Sequence, residues 1–267
     1  MSRPPAAEAW ASGYAYERYV GRWSRKVSLE FLRWLAPGPG LAWADVGCGT
    51  REVTSAILAA CEPASVSGID SSDGFVSEAR RRIEDQRACF EVGDATQLPW
   101  RSAAWDVTVS GLVLNFVRDH AAMVQEMTRV TRPGGMVAAY VWDYGGGMQM
   151  MRRFWDAAVT VSPNDAKLDQ AERFPLCQPG PLQALFEQTP LEAVMVRGIQ
   201  IPTVFESFDD YWTPFLGKTG AAPTYLASVD SDVRERIRLC LESRLAPTRA
   251  GRIELTAQAW AVRGDAR

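Results

Sequence analysis

The stretch that most constrains this chain is LAWADVGCGTREVT, which runs from Leu41 to Thr54. It begins as a short apolar run, breaks at the glycines Gly47 and Gly49, and continues with apolar residues at helical spacing. This pattern predicts a buried strand, a tight turn and a helix whose N-terminus points at the turn. Glycine lacks a Cβ atom, so the backbone can approach a ligand closely, and the N–H groups of the first helical turn favour electron-rich groups. The stretch therefore predicts a site for a nucleotide-type cofactor.

The residues around the turn narrow the choice of cofactor. A dinucleotide fingerprint, G-x-G-x-x-G, needs glycine at position 52, where this chain has Glu52, and no phosphate-binding lysine of the Walker type follows. Asp45 precedes the turn and suits a ligand that carries a positive charge. S-adenosylmethionine (SAM) carries a sulfonium and an α-ammonium group, so it suits this turn better than a dinucleotide does.

Three segments carry a resemblance to a known family. ADVGCGT, from Ala44 to Thr50, resembles the first motif of class I SAM-dependent methyltransferases, which usually reads D-V-G-C-G-T-G; this chain has Arg51 at the third glycine. GDATQLPW, from Gly93 to Trp100, and the RPGG of residues 132–135 resemble later segments of the same family. The RPGG segment is predicted to be a tight turn into a fifth strand, Met136 to Trp142. The chain is similar in particular to the small-molecule, ubiquinone- and menaquinone-biosynthesis-like enzymes of the type 11 group.

Asp70 ends a second predicted strand, Ala64 to Asp70, and lies 23 residues after Gly47. Neighbouring parallel strands end at the same edge of a sheet, so its carboxylate is expected beside the turn, where Rossmann-like folds bind ribose hydroxyls. The alternative role is a helix N-cap, for which residues 71–73 are better placed. We therefore predict ribose binding by Asp70 and include Ser71 in the predicted cofactor site.

The resemblance implies further cofactor contacts. Asp94 would accept a hydrogen bond from the adenine amino group and Ala95 would donate one from its backbone, although Asp94 taken alone is equally well an ordinary turn residue. A fourth strand is predicted at Trp105 to Leu114, and Ser110, Gly111 and Leu112 close it at the pocket end, where backbone carbonyls can hold the SAM ammonium group. The cofactor residues predicted for the sheet are Asp45, Gly47, Cys48, Gly49, Asp70, Ser71, Asp94, Ala95 and Ser110.

An aromatic segment precedes the first strand. Residues 13–26 hold three tyrosines and one tryptophan, and Tyr16, Tyr19 and Trp23 can share one helical face. One interpretation is that these rings pack on the domain. The other follows from the resemblance, because small-molecule methyltransferases of this type often cover the SAM pocket with such a segment. Tyr19, Arg22 and Trp23 would then contact the cofactor, and Arg22 would bind its carboxylate.

Three residues are candidates for a general base. His120 is the only histidine and follows Asp119, which is predicted to cap a helix; a lone histidine there is more often structural or exposed. Asp143 and Tyr144 follow a fifth strand, at the carboxyl edge where open α/β sheets bind ligands. A base matters only for a phenol, hydroxyl or carbon-acid acceptor. The Asn-Pro-Pro-Tyr motif of many nucleic-acid and protein methyltransferases is replaced by SGLVLNF, which indicates a small-molecule acceptor.

The last part of the chain departs from the hairpin that is usual in the family. A sixth strand is predicted at Leu191 to Thr203, and its return strand appears only at Ile253 to Val262. The intervening residues include a group of aromatic side chains, namely Phe205, Phe208, Tyr211, Trp212 and Phe215. These rings form either a small core or a lid that selects an apolar or aromatic acceptor and excludes water, and both can hold at once.

Strands that alternate with helices predict a parallel sheet with right-handed crossovers. By the resemblance, the fold is an α/β, Rossmann-like sheet of seven strands in the order 3-2-1-4-5-7-6, with the last strand antiparallel, helices on both faces and a helical lid insertion. We predict an N-terminal helical lid segment at residues 1–36, a SAM-binding domain at 37–202 and 251–267, and the insertion at 203–250.

Composition argues against several other classes. The 267 residues are 47% hydrophobic and 23% charged, which suits one domain with an elaboration, and the net charge of −3 argues against a nucleic-acid partner. No apolar run is long enough for a membrane span, and MSRPPAAEAW lacks the apolar region of a signal peptide. Five scattered cysteines and a single histidine predict reduced thiols, a cytoplasmic location and no metal site. A monomer or homodimer is expected.

The resemblance implies a methyltransferase that uses SAM, releases S-adenosylhomocysteine, and methylates an oxygen, nitrogen or carbon atom of a small acceptor by in-line SN2 displacement. The acceptor is expected to be apolar or aromatic. Arg51 leaves two alternatives open, because a cationic side chain beside a cationic cofactor would weaken binding. One is a binding or regulatory protein with little or no turnover, and the other is a SAM-dependent enzyme of another reaction type, such as cyclisation or decarboxylation.

Overall fold

In the computed structural model, residues 17–217 and 220–267 are described, without the side chains of residues 17 and 18. Seven strands form one sheet in the order β3-β2-β1-β4-β5-β7-β6. In chain order they are Ala42–Val46 (β1), Ser65–Asp70 (β2), Ala88–Val92 (β3), Trp105–Gly111 (β4), Thr131–Trp142 (β5), Leu191–Phe205 (β6) and Ile253–Ala266 (β7). Strands β1 to β5 pair in parallel, and β7 pairs antiparallel with β5. The predicted Rossmann-like class and strand order are confirmed.

Helices connect the strands. Among the described residues the α-helices are Arg22–Leu35 (α1), Glu52–Ala60 (α2), Asp73–Arg82 (α3), His120–Val130 (α4), Gln149–Val161 (α5), Gln170–Arg173 (α6), Pro179–Glu187 (α7), Phe208–Trp212 (α8), Ala221–Ser228 (α9) and Ser231–Arg244 (α10). A π-helical turn, Glu17–Gly21, precedes α1, and short 3₁₀ segments occur at Leu114–Phe116, Pro163–Leu168 and Thr213–Gly217. Within the described ranges, no helix combines the length and the apolar character that a bilayer span requires.

The described residues fall into two compact units. The sheet unit consists of Ser24–Trp142, Leu176–Ile199 and Ala259–Arg267, and the helical unit consists of the described residues up to Trp23, Asp143–Pro175 and Gln200–Gln258. The predicted insertion, 203–250, lies within the helical unit, together with the residues after β5 that we had assigned to the SAM-binding domain. Residues 1–16 of the predicted N-terminal lid, which include Tyr16, lie outside the described residues, and the assignment of lids stays a prediction.

Side chains at helix starts explain where the crossover helices begin. Ser72 caps α3 by accepting a hydrogen bond from Phe75 N at 3.3 Å, and Asp119 caps α4 by accepting one from Ala122 N at 2.9 Å. The predicted cap at Asp119 is thus confirmed. Because Ser72 caps α3, Asp70 does not serve as that N-cap.

The core of the sheet unit lies between the strands and α4. The apolar stripe of that helix, Met123, Val124, Met127 and Val130, is completely buried. Burial of side chains of this size stabilises a fold by about 1.5–3 kcal/mol each. These methionines are therefore core residues and do not form a ligand surface.

The start of β5 differs from the prediction of a turn followed by a strand. Strand β5 already begins at Thr131, and the register against β4 jumps from Trp105↔Thr131 to Val107↔Met136, so the RPGG segment forms a large bulge inside the strand. A Cβ atom on Gly135 would lie 2.7 Å from the carbonyl oxygen of Asp106, which only glycine avoids. The glycines therefore allow the bulge to pass close to β4.

The helical unit is built around aromatic rings. Phe154 of α5 stacks on Phe215 with ring centroids 4.6 Å apart, and Tyr211 lies 5.4 Å from Phe215. Tyr211 is fully buried, and its hydroxyl donates to the carbonyl oxygen of Met150 at 2.8 Å. The aromatic side chains of the predicted insertion therefore form a small core, while their role as a lid stays a prediction.

Candidate cofactor site

A cavity of about 980 Å³ opens in the sheet unit at the carboxyl ends of its parallel strands. Its walls come from the residues that follow β1, β2, β3 and β4, from the start of α4 and from α7. The lining residues are Gly47, Ile69, Asp70, Ser71, Val92, Gly93, Asp94, Ala95, Thr96, Val113, Phe116, Val117, Arg118, Asp119, His120, Ala121 and Leu185. Open α/β sheets bind ligands at this edge, and the volume suits a cofactor-sized molecule.

The glycine turn fits closely against the neighbouring loop. Gly47 has a φ of +76°, and a Cβ atom added there would lie 2.6 Å from Cγ1 of Val113. Gly49 also has a positive φ, +52°, and a Cβ atom added there would project into open space. Any other residue at Gly47 would be strained and would clash, so this glycine sets both the turn and the floor of the cavity.

Most amide groups of the turn already have protein acceptors. The N–H groups of Gly47 and Cys48 donate to the carbonyl oxygen of Ile69 at 2.7 and 3.0 Å, and Gly49 N donates to Oδ2 of Asp70 at 2.9 Å. These three donors precede α2, so the expectation that the N–H groups of its first turn favour an electron-rich group stays a prediction. The turn is tied to the end of β2 and offers a poor cradle for a phosphate.

Asp70 lies at the centre of the cavity wall. Its Oδ1 accepts from Ser72 N at 2.9 Å and its Oδ2 accepts from Gly49 N at 2.9 Å, so each oxygen retains acceptor capacity for a ligand. Burial raises the pKa of this carboxyl, and the two backbone hydrogen bonds oppose that shift. The structure thus places the side chain where the sequence predicted it.

Asp45 is not among the residues that line the cavity. It is completely buried, its Oδ2 accepts from the hydroxyl of Thr54 at 2.7 Å, and its Oδ1 has no hydrogen-bond partner within the described ranges. Burial raises its pKa to about 7, against the hydrogen bonds from Thr54. The carboxyl group of Asp45 is therefore buried away from the cavity, and it does not make the contact with a cationic ligand that the sequence predicted.

Cys48 and Ser110 are also turned away from the cavity. The side chain of Cys48 packs in an apolar cluster with Val76, Ala79 and Phe90. Burial raises the pKa of its thiol, and the nearby carboxylates of Asp45 and Asp70 raise it further. Ser110 is fully buried, and its hydroxyl has no hydrogen-bond partner in the part of the chain that the structure describes. Only backbone atoms of these two residues remain available for the predicted cofactor contacts.

Asp94 and Ala95 line the cavity after β3. Oδ1 of Asp94 accepts from both the backbone N and the hydroxyl of Thr96 at 2.8 Å, and these bonds lower the pKa of the carboxyl. Its Oδ2 makes no hydrogen bond with any described residue. Asp94 is thus a turn residue, as one interpretation held, and it still offers one carboxylate oxygen to the cavity.

Another part of the cavity wall follows β4. His120, the first residue of α4, lines the cavity and is half-buried, and Phe116 is an exposed apolar residue of the same cavity, as is Val92 at the end of β3. Phe116 and Leu185 were not predicted from the sequence. Phe116 was detectable, since it follows the carboxyl end of a central strand, whereas α7 brings Leu185 to the cavity by tertiary packing that no local pattern indicates.

The predicted N-terminal contacts belong to the helical unit. Nη1 of Arg22 donates to Oδ1 of Asp210 at 3.2 Å, and its guanidinium lies over the rings of Trp23 and Phe205 at 4.4 and 4.8 Å. Tyr19 is buried and lies edge-on to Phe215, with ring centroids 5.7 Å apart. These contacts favour the packing interpretation of the segment, and its contact with a cofactor stays a prediction.

Asp143 and Tyr144 belong to the helical unit as well. Oδ1 of Asp143 accepts from the backbone N atoms of Gly145 and Gly146 at 3.1 and 3.3 Å, and its Oδ2 accepts from Nε2 of Gln258 at 3.3 Å. Tyr144 is buried against Phe174. Asp143 therefore shapes the glycine turn after β5, and catalysis by either residue stays a prediction.

Arg51, at the third glycine of the motif, keeps a glycine-like backbone. Its φ is +105° and its ψ is 3°, a region that non-glycine residues rarely adopt. The residue lines a separate cavity of about 200 Å³, with Arg25, Glu52 and Ser55 among its neighbours, and is not among the residues of the large cavity. The arginine therefore strains the turn without contributing to the wall of the large cavity.

Comparison with known proteins assigns part of the chain. Residues 44–139 match the family model described as a methyltransferase domain. The chain is similar to an O-methyltransferase from Pyrenophora dematioidea (32% identity over 119 residues, 43% of this chain and 44% of the relative). It is also similar to a demethylmenaquinone methyltransferase from Bacillus cereus (35% identity over 112 residues, 40% and 47%). These matches thus span less than half the length of either relative.

Solved structures share the fold at low sequence identity. A phosphoethanolamine N-methyltransferase 2 from Haemonchus contortus, solved with SAM, superposes with a TM-score of 0.60 at 17% identity, over 94% of this chain and 56% of that one. The [4+2]-cyclase SpnF superposes with a TM-score of 0.53 at 15% identity, over 99% and 84%. Identities this low show the fold alone.

The family match begins at Ala44, within β1, and covers the glycine turn, α2 and both later motifs. It confirms the resemblance to class I SAM-dependent methyltransferases over residues 44–139.

Proposed function

We propose that this chain binds SAM in the large cavity and methylates a small-molecule acceptor by in-line displacement. The observation that carries the proposal is the acidic wall: Asp70 and Asp94 face the cavity from neighbouring strands, while the amides of the turn are occupied. A pyrophosphate needs free amides or cations, whereas ribose hydroxyls and amino groups need acceptors. SAM, when bound, supplies an electrophilic methyl group on a sulfonium, which is already a good leaving group.

The residues of the sheet unit fit this ligand. In the proposal, Asp70 accepts hydrogen bonds from ribose hydroxyls with the acceptor capacity that its two backbone bonds leave. The free Oδ2 of Asp94 and the backbone of Ala95 are suited to the adenine edge. Because Gly47 has no side chain, the ligand can approach the turn directly.

The chemical class of the methyl acceptor is inferred from the apolar part of the cavity wall. Val92 and Phe116 are exposed apolar residues of the cavity, which favours an apolar or aromatic acceptor. His120 is the candidate base that lines this cavity, where it can take a proton from a phenol or hydroxyl acceptor. Asp143 and Tyr144 stay alternatives for the same role. A cytoplasmic monomer or homodimer also stays a prediction.

Another reaction type on the same fold is the second candidate function, because one structural neighbour is a [4+2]-cyclase. A SAM-dependent enzyme of another reaction type would bind the cofactor without converting it to S-adenosylhomocysteine. A binding protein with little or no turnover would do the same without any change in a second ligand. Incubation with SAM and a panel of phenols, amines and carboxylates, followed by quantification of S-adenosylhomocysteine, separates these outcomes from methyl transfer.

The first test is isothermal titration of the purified protein with SAM and with S-adenosylhomocysteine. We expect micromolar binding of both, and a weakening by about 10–100-fold in Asp70→Ala, because hydrogen bonds to a charged group contribute about 1.5–3 kcal/mol each. Asp70→Asn keeps one acceptor oxygen and should lie between the two. Asp85→Ala, a carboxylate of the same unit that pairs with Arg87, is the matched control.

Two results would contradict the proposal. If the wild-type protein binds neither ligand, the proposed SAM-dependent function is wrong and only the shared fold remains. Equal affinity in the wild-type protein and in a folded Asp70→Ala variant would show that the cofactor site lies elsewhere.

A further inference from the structure

The segment from Gly93 to Trp100 follows β3 and is not a regular strand, and its first four residues line the large cavity. Inside the segment, Oδ1 of Asp94 binds Thr96, and Gln97 N donates to the carbonyl oxygen of Asp94 at 3.1 Å. The N–H group of Gly93 donates to the carbonyl oxygen of Asp70 at 3.0 Å, so the start of the segment is attached to the end of β2. The internal bonds fix the first half of the segment as a turn, and the second half depends on contacts with other parts of the sheet unit.

Two side chains of α4 supply those contacts. Oε2 of Glu126 accepts from Leu98 N at 2.8 Å, and Nη2 of Arg129 donates to the carbonyl oxygen of Leu98 at 3.0 Å. Nη1 of Arg129 donates to the carbonyl oxygen of Trp100 at 2.9 Å. The two side chains thus bind the N–H and C=O groups of Leu98 and the C=O group of Trp100.

The two side chains also bind each other through a planar fork. Nε of Arg129 donates to Oε1 of Glu126 at 2.6 Å, and Nη2 donates to Oε2 at 2.8 Å. This bidentate geometry is specific to arginine. The hydrogen bond from Arg129 lowers the pKa of Glu126, so the carboxylate remains charged across the neutral range.

The same helix also reaches the cavity directly. His120, at the first turn of α4, lines the cavity, whereas Glu126 and Arg129 lie in the last two turns of the helix. The methionine and valine side chains of the helix are buried in the core of the sheet unit. One helix therefore supplies both a residue of the cavity wall and the two side chains that bind Leu98.

We propose that Glu126 and Arg129 are positioning residues for the cofactor, which set the Asp94–Ala95 wall at the distance that adenine recognition requires. The inference rests on the proposed function, since the ligand is SAM. It goes beyond that proposal by assigning affinity to residues that do not line the cavity.

A purely structural role would give a different result. If the pair only stabilised the unit, its loss would lower the melting temperature and leave the affinity of the folded protein unchanged. A positioning role lowers the affinity even where the protein stays folded, and it frees the backbone of residues 93–100. Hydrogen exchange of that segment and ligand affinity together distinguish the two roles.

The experiment compares Arg129→Met, Arg129→Lys and Glu126→Gln with the wild-type protein. S-adenosylhomocysteine binding is measured by titration, and amide exchange of the peptide covering 93–100 by mass spectrometry. Arg132→Met is the matched control, because Arg132 pairs with Asp106 in the same unit and does not line the cavity.

We expect Arg129→Met to weaken S-adenosylhomocysteine binding about tenfold, the scale of one lost charge-assisted hydrogen bond, and to speed exchange in residues 93–100. Arg129→Lys, which keeps the charge but loses the fork, should fall in between, and Arg132→Met should match the wild type. If Arg129→Met does not fold, the same two measurements on Glu126→Gln test the inference, because in that variant the amide oxygen still accepts from Leu98 N.

Two outcomes are distinguishable as failures. Absence of wild-type binding defeats the proposed function and this inference with it. Normal wild-type binding with equal affinity in a folded Arg129→Met variant, or an equal loss in Arg132→Met, overturns this inference alone.

Discussion

The carboxylates that line a cavity in each unit differ in their partners. In the helical unit, Asp156 and Asp169 line a cavity of about 670 Å³, and Arg152 contacts both of them. In the sheet unit, Asp70 and Asp94 line the large cavity, and each keeps acceptor capacity beyond its internal bonds. The helical unit thus pairs its cavity carboxylates with arginine and packs around aromatic rings, whereas the sheet unit leaves carboxylate acceptors for a ligand.

The largest expected effect tests the packing side of this comparison. Phe154→Ala removes a ring that is fully buried and stacked on Phe215, so the free energy of unfolding should fall by about 3–5 kcal/mol. Chemical denaturation followed by tryptophan fluorescence measures it. Phe116→Ala, the truncation of an exposed ring at the cavity, is the control and should change stability far less. Equal losses in the two variants would remove the contrast between the units.

Asp45 gives a pH-dependent test of the sheet unit. Its pKa in the folded protein is about 7, whereas an unfolded chain titrates near 3.8, so the folded state holds the extra proton between these values. The free energy of unfolding should therefore fall by up to about 4 kcal/mol as pH rises from about 4 to 7. Above about pH 7 it should no longer change through Asp45. Asp45→Asn should lose this slope when denaturation is measured across that range.

The control for this experiment is Asp85→Asn, because the hydrogen bonds from Arg87 lower the pKa of Asp85 to about 2. Its contribution is lost only as pH falls below the usual carboxyl range, so the variant should keep the wild-type slope between pH 4 and 7. A flat wild-type profile would mean that Asp45 ionises without cost in the folded protein.

Gly47→Ala tests the turn itself. The added Cβ atom would meet Val113 at 2.6 Å in a backbone conformation that favours glycine, so we expect a loss of about 2–3 kcal/mol together with weaker S-adenosylhomocysteine binding. Gly38→Ala, where a Cβ atom meets nothing within 4 Å, serves as the control. Unchanged stability and affinity in Gly47→Ala would show that the turn tolerates a side chain.

The smallest expected effect belongs to Arg51→Gly. Release of the strain at φ +105° should stabilise the protein by about 1–2 kcal/mol, offset by about 0.4–1 kcal/mol from the greater freedom of glycine in the unfolded chain. A net gain below about 1.5 kcal/mol is expected in thermal or chemical denaturation. A destabilised Arg51→Gly variant would contradict the proposal that Arg51 strains the turn.

The local parts of the fold were predictable from sequence, and the parts set by distant contacts were not. The strand, turn and helix around Gly47, the strand ending at Asp70 and the cap at Asp119 depend on residues a few positions apart. The occupied amides of the turn and the sealed position of Asp45 depend on Ile69 and Thr54, whose proximity appears only in three dimensions. The bulge before Met136 was missed because glycine and proline indicate a turn equally well within or before a strand.

The site divides in the same way. Asp70, Asp94, Ala95 and His120 were predicted and line one cavity, because each follows or flanks a strand end of the same parallel sheet. Leu185 and the pair of Glu126 and Arg129 were not, since their contacts join segments that lie far apart in the chain. Arg22 was predicted to bind the carboxylate of SAM, and that contact stays a prediction, because the carboxylate that Arg22 binds in the structure is that of Asp210.

The position of β7 has a consequence for synthesis of the protein. This strand lies between β5 and β6 in the sheet, yet it follows both in the chain. While the ribosome is still making the residues before Ile253, the edge of β5 has no antiparallel neighbour, and an open edge of buried, apolar character can pair with other chains. Messages truncated before this point should therefore yield products that aggregate or need a chaperone, even though every residue of the cavity has already been made.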